Sequence, residues 1–356
     1  MRLASQQLVR TKCSTPKEVV SSMVAMQAQD FPMARWAIGA RVIGATDLDV
    51  LTAIDEARII RTHMLRPTWH FVAAEDVYWL LELTAPQIRT GQKARERQLE
   101  LTEAVYAKSN SVIEDSLKDV DFLTREQLLN AVERAGIAID QNRSAHLLMR
   151  AEVDQIICNG PIRSGKPTYA LLARRVRKIK RLTKEEALAN LAQRYFFSRC
   201  PATQQDFAWW SGLPAGAVRQ AMDLAKADFH PEKMQEHSYW IPNNLSIHGQ
   251  RSLNAQLLPP FDEFIVGYNE RSAAIPPEYE MHMKDISNRG VFRPIIVING
   301  QVAGIWKRTI QKDSVIVELQ PFEPLSSSIQ KLMITAARQY GSFLGKSVEI
   351  TPEGIS

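Results

Sequence analysis

The period of apolar and polar positions changes several times along this chain, and the changes mark its elements. Residues 1–85 open with a short amphipathic stretch, SQQLV, and a helical pattern then starts at Ser14-Thr15-Pro16. Thr15 suits an N-cap and Pro16 the first helical position. Val20, Val24 and Gln27 follow at i, i+4 and i+7, so the spacing predicts a helix whose apolar stripe ends on a glutamine. A third helix is expected over 47–58. Two strand-like runs come next, IIRTHML at 59–65 and TWHFV at 68–72, joined by Arg66-Pro67. Three helices and a β-ribbon give the order of a winged helix-turn-helix.

The order recurs twice. Residues 86–115 read as a polar helical connector, and a second unit is expected over 116–175. Its first helix, TREQLLNAVERAG, has the capping-box spacing at Thr124 and Gln127 and a C-capping Gly136. A helix over 144–155 follows, and the strands IICNGP and PTYALL flank the turn IRSGK. In a third unit, 176–250, helices are expected over 184–199, 201–212 and 213–225. A strand–turn–strand wing at 237–248 then surrounds Pro242-Asn243-Asn244. From 251 to 356 the texture turns β-rich. LLPPFDEFIVGY, GVFRPIIVINGQVAGIWKRTI and SVIVELQPF read as strands, with Asn299-Gly300 as a hairpin turn. The amphipathic SSSIQKLMITAARQYGSFLG closes the chain as a helix. The predicted fold class is α+β: three tandem winged helix-turn-helix units, then a C-terminal β-barrel-like domain with a terminal helix.

Composition narrows the setting. The N-terminal stretch lacks an apolar core of secretory type, and nowhere do about 18 apolar residues run together, so no membrane partner is expected. Cys13, Cys158 and Cys200 are widely spaced, as reduced thiols of a cytoplasmic protein would be. The net charge of +5 is compatible with a nucleic-acid partner. What matters is where the charge sits. The run RRVRKIKRLTK holds Arg174, Arg175, Arg177, Lys178, Lys180, Arg181 and Lys184, with no acid among them. Such a run is either a solvated linker or a phosphate-contacting, DNA-binding segment, and both readings stay open. Arg89, Lys93, Arg95 and Arg97 form a weaker second patch on the connector.

Several chemistries drop out. GPIRSGK at 160–166 has the spacing of a phosphate-binding loop, but Pro167 stands where a magnesium-binding hydroxyl is required and a strand follows instead of a helix. The histidines are scattered without metal-ligand spacing, so no metal site is expected, and no G-x-S-x-G elbow or GxGxxG loop occurs. His70, between Trp69 and Phe71, reads first as a packed strand histidine. Trp209-Trp210 and Tyr239-Trp240 read as core. One stretch resists a bland account: AMQAQDFP at 25–32 puts two amides and a carboxylate at the end of an apolar segment. Gln27 and Gln29 either satisfy nearby backbone or, on an unwound helix end, hold a water or substrate between them.

MVAMQAQDFPMARWAIGAR, RTHMLRPTWHFV, PATQQDFAWWSG, LLPPFDEFIVGY and GQVAGIWKR together resemble the winged-helix DNA glycosylases of the AlkZ/YcaQ type, in order and over nearly the whole chain. The resemblance implies tandem winged helices and a β-barrel around a concave DNA-binding face. It implies a catalytic Gln-x-Gln, which Gln27-Ala28-Gln29 matches, with Asp30 and His70 as electrostatic support. With no lysine in the signature, it implies a monofunctional enzyme without a Schiff base, and no cofactor. The partner it implies is double-stranded DNA carrying N7-alkylated or crosslinked purines, bound by a monomer. The competing reading is a non-catalytic winged-helix regulator, which would dimerise over two half-sites and have no need of either glutamine. A scaffold using winged helices for protein contacts is a third.

Overall fold

The computed structural model describes residues 1–9, 12–177, 182–234, 236–245, 253–279, 281–282 and 292–352. Its first unit comprises α1 (Arg2–Ser5), α2 (Pro16–Met23), β1 (Ala25–Gln27), α3 (Phe31–Gly39), α4 (Asp47–Asp55), β2 (Ile59–Met64) and β3 (Thr68–Ala73). The three strands form one antiparallel sheet in the order β1-β3-β2. The short β1 enters between α2 and α3 and lies beside β3, the last strand of the unit.

Three expectations change here. The helix expected to reach Gln27 stops at Met23: Val24 takes φ 66° and the chain leaves as β1. Residues 23–28 are buried throughout, with Val24 and Ala25 in one core and Met26 and Ala28 in another. An apolar run covered on both faces suits a strand better than a one-sided helix. Pro32 opens a helix that was not foreseen, α3, and Asp30 caps it by accepting the Met33 N–H at 3.2 Å. The SQQLV stretch lies at and beyond the end of α1.

After α5 (Val77–Gln98), the same order returns in α6 (Glu103–Leu117), β4 (Leu123–Thr124), α7 (Arg125–Arg134), α8 (Arg143–Val153), β5 (Ile157–Asn159) and β6 (Thr168–Leu171). The strand order is β4-β6-β5. The stretch expected as a connector therefore holds the end of α5 and most of α6. Tyr106, Ile113 and Leu117 of α6 share a core with Leu128 and Val132 of α7 and Leu147 of α8. The Thr124–Gln127 capping box is formed. IRSGK is the turn between β5 and β6, with Gly165 at φ 74°.

Following α9 (Leu172–Arg175), the third unit has α10 (Lys184–Arg199), α11 (Gln204–Ser211), α12 (Ala215–Ala225), β7 (Phe229–Met234) and β8 (His237–Pro242). Ala202, between α10 and α11, bridges to Trp240 of β8 as a first strand would. β8 pairs back with β7, and the second strand of the wing expected at 237–248, beyond Pro242-Asn243-Asn244, falls on residues that lie outside the described set. Only Phe229 anchors β7 in the core, and its polar remainder carries no strand signal.

The C-terminal part comprises β9 (Ala255–Leu258), α13 (Glu263–Val266), β10 (Ile295–Ile298), β11 (Gln301–Ile310), β12 (Ser314–Pro321), α14 (Ser327–Leu344) and β13 (Ser347–Pro352). Its sheet, ordered β13-β12-β11-β10-β9, curls into a half-barrel. Asn299 and Gly300 turn between β10 and β11, both at positive φ as a tight hairpin demands. DEFIV, expected as strand, is instead the helix α13, capped by Asp262. Tyr340 and Phe343 of α14 pack on Trp36 of α3, with ring centroids 5.1 and 5.3 Å apart. One core thus joins the half-barrel to the first unit and fixes α3, together with the turn that precedes it. Among the described residues no helix is long and apolar enough to cross a membrane.

Candidate active site

Gln27 ends β1, and Gln29 lies two residues on in the bend that follows, so both amides stand at the end of a strand instead of on an unwound helix. Their surroundings differ. Gln27 is only 8% exposed, whereas Gln29 is open to solvent. In register, Gln27 faces His70, and His70 faces Thr62, which places the three in a row across β1, β3 and β2. The Thr62 hydroxyl in that row is buried and has no hydrogen-bond partner among the described residues. The Gln27 amide likewise has none there.

Gln29 is held by an altered ladder. Ala28 N–H donates to the Trp69 carbonyl at 2.7 Å, but the return bond is diverted. Trp69 N–H donates to Gln29 Oε1 at 3.1 Å, and the freed Ala28 carbonyl accepts Arg61 Nε and a terminal Arg61 nitrogen at 3.1 and 2.9 Å. Because a backbone N–H needs an acceptor, the amide oxygen must face Trp69, which leaves the Gln29 NH₂ pointing outward. Arg61 in turn lies over the Trp69 ring at 4.0 Å. Burial lowers its pKa to about 10, so it is still charged at neutral pH.

Behind Gln27 lies a buried ion pair. Its backbone N–H donates to Glu263 Oε1 at 2.8 Å. Glu263 Oε2 accepts two Arg199 nitrogens at 2.5 and 3.1 Å and Trp210 Nε1 at 3.0 Å. Arg199 also donates to the carbonyls of Met23 and Ala25, each at 2.9 Å, and so pins both ends of the helix-to-strand switch. Burial alone would raise the Glu263 pKa, but the Arg199 charge and hydrogen bonds, with the Gln27 N–H, hold it below the usual carboxylate range. Arg61, Trp69, Arg199 and Glu263 all escaped the sequence reading. A charge inside an apolar run, as in PFDEFIV and RYFFSR, was the available signal.

His70 is 1% exposed, and the Thr68 carbonyl lies 2.9 Å from its Nδ1, which makes Nδ1 the protonated nitrogen. Burial lowers its pKa from 6.5 to about 4, so the ring is neutral at pH 7 and supplies no positive charge. The unfolded chain takes up this proton near pH 6.5, the folded chain only near 4. The stabilising contribution is therefore complete above pH 6.5 and lost as the pH falls toward 4, on the order of 3 kcal/mol in all. Urea unfolding at pH 7 and pH 4.5 should show a smaller loss of stability for His70→Gln than for the unaltered chain. Parallel pH profiles for the two proteins would refute this assignment.

The other expected site residues are scattered. Asp30 spends one carboxylate oxygen capping α3, and Arg35 pairs with Asp47 at 2.6 Å. Arg174 donates to the carbonyls of Leu117, Lys118 and Val120 at the end of α6. Arg175 donates to those of Ile54 and Asp55 at the end of α4. These two arginines cap helix C-termini, where cations are favoured. Arg177 and Lys184 are exposed, while Lys178, Lys180 and Arg181 lie outside the described residues. On the second patch, Arg89 is paired with Asp154 at 2.6 Å. Among the described residues no group of three metal-binding side chains converges.

The α+β fold, ending in a half-barrel sheet, is that of a class of DNA glycosylases. The family model for AlkZ-like DNA glycosylases matches residues 20–343, and the chain belongs to that family. Among solved structures, the Streptomyces sahachiroi DNA glycosylase AlkZ matches with a TM-score of 0.80 at 18% identity, over 98% of this chain and 97% of that one. No curated protein matches the sequence significantly.

Proposed function

We propose that this protein is a monofunctional DNA glycosylase that hydrolyses the N-glycosidic bond of N7-alkylated purines in duplex DNA and unhooks interstrand crosslinks joined through that atom. The observation that supports the reading is the pair of amides at the end of β1: the backbone of Gln27 is fixed by Glu263, and the side chain of Gln29 by the Trp69 N–H.

An N7-alkylguanine is already cationic, so the base leaves with the glycosidic electron pair as a neutral product and needs little acid catalysis. What remains is to place a water at C1′ of the oxocarbenium-like sugar, where position counts for more than basicity. The Gln27 amide oxygen and the second lone pair of Gln29 Oε1 accept hydrogen bonds from that water, while the outward NH₂ of Gln29 donates. The water's oxygen bonds to C1′ and its extra proton passes to solvent. Asp30 lends negative charge through its uncapped oxygen. The neutral His70 packs behind Gln27 and contributes position only.

Incubation with a duplex carrying one N7-methylguanine is expected to release free base and leave an intact abasic strand. Strand scission without added base would oppose the monofunctional step. Tight, salt-dependent binding without release from either this duplex or a crosslinked one would favour the regulator reading.

A further inference from the structure

Near the glutamines, two arginines lie against one tryptophan ring, and neither has a carboxylate partner among the described residues. Arg66, at the tip of the β2–β3 hairpin, lies over the Trp209 ring at 4.5 Å. Arg271, which follows α13 in the chain, lies 5.9 Å from the same ring. Trp209 remains 41% exposed, in contrast to the buried Trp210 beside it. The arrangement is built into the backbone. Gly212 ends α11 at φ +66°, and a Cβ there would stand 3.3 Å from both Arg66 Cγ and the Leu65 carbonyl, so the glycine lets the hairpin tip close on α11.

The donors are largely unspent. Arg66 Nε is buried without a partner, and no hydrogen bond engages its terminal nitrogens among the described residues. Arg271 uses only Nε, on the carbonyls of Ile265 and Tyr268. Stacking on Trp209 occupies the face of a guanidinium and leaves its in-plane N–H groups pointing outward. Burial lowers the pKa of both; the Glu263 charge raises that of Arg66 while the Arg271 charge lowers it, and the Asp206 charge raises that of Arg271. Two half-buried guanidinium groups without a direct carboxylate contact among the described residues leave donors that an anion can take up. The hairpin tip connects back to the glutamines along β3: Thr68 Oγ1 donates to the Arg66 carbonyl at 3.2 Å, the Thr68 carbonyl lies 2.9 Å from His70 Nδ1, and His70 is the register partner of Gln27.

We infer that Arg66, stacked on Trp209, and Arg271 beside it form a clamp for a DNA backbone phosphate next to the lesion and hold the target sugar against Gln27 and Gln29. The inference rests on the glycosylase reading and adds to the basic run as a phosphate contact. A charged fork on a stacked platform is the usual recognition chemistry for a phosphodiester.

The test compares the unaltered protein with Arg66→Gln, Arg271→Gln and Arg66→Lys on the N7-methylguanine duplex, after thermal melting has shown that each variant is folded. Each glutamine variant is expected to lose on the order of tenfold in affinity and to show a log affinity–log salt slope shallower by about 0.9, one phosphate contact's worth. Arg66→Lys should keep the slope but lose affinity, because an ammonium neither stacks nor forks. Neutral methylphosphonates are then placed one at a time along the duplex. One position should weaken the unaltered protein and leave Arg66→Gln indifferent. Unchanged slopes, or equal sensitivity to every methylphosphonate, would overturn the clamp even if base release is normal. Absence of both release and salt-dependent binding in the unaltered protein would instead remove the glycosylase reading, and the clamp with it.

Discussion

Gln29→Ala is expected to slow base release in single-turnover assays by about 10²- to 10³-fold, the usual loss on removing one preorganised group at a centre of developing charge. Gln29 is exposed, so the variant should fold normally, and affinity for the damaged duplex should change little. The loss would come from orientation: the outward NH₂ and the second lone pair of Oε1 disappear, while the Trp69 N–H turns to solvent. Gln27→Ala should match it in rate. Gln29→Glu separates the contributions, because it keeps an acceptor for Trp69 and removes only the donor, and it should fall between the alanine variant and the unaltered enzyme. A drop in affinity with an unchanged rate of release from bound DNA would make the glutamines anchoring residues and end their catalytic assignment.

Glu263→Ala should destabilise the protein by about 3–5 kcal/mol, because it leaves the Arg199 guanidinium buried without its carboxylate. Both partners are essentially inaccessible to water, at 0% and 1% side-chain exposure, so solvent cannot compensate. The same substitution orphans Trp210 Nε1 and the Gln27 N–H. Release of base should therefore fall even where the variant remains folded, for instance at low temperature. Glu263→Gln keeps an oxygen for one of the neutral donors but not the charge, and should lie between. A loss below about 1 kcal/mol in urea unfolding would show that the pair is not the support of β1 described above.

Much of the architecture was legible because it depends on local rules. The helix over 184–199, the Thr124–Gln127 box and the Asn299-Gly300 turn follow from capping chemistry and backbone preference, which act within a few residues. The elements that went wrong are those decided by burial. Residues 23–28 keep helical spacing, but cores on both sides turn them into a strand. The polar β7 carries no apolar alternation and is a strand only because β8 lies beside it. The partners of Arg174 and Arg175 were hidden for a related reason. In the sequence they are a charge run, and only folding brings the ends of α6 and α4 to them.

By itself the sequence determined the α+β class and, through the resemblance, pointed to the two glutamines. Tertiary structure decided what surrounds them. Glu263 meets Gln27 across 236 residues, and Trp69 meets Gln29 across 40. Arg66 reaches Trp209 only because a glycine ends α11 beneath the hairpin tip. The physical reason is one of range. Capping, turn chemistry and periodicity are settled by neighbours along the chain, whereas the partner of a buried charge or a diverted ladder bond is settled by whichever surface the packed cores bring against it.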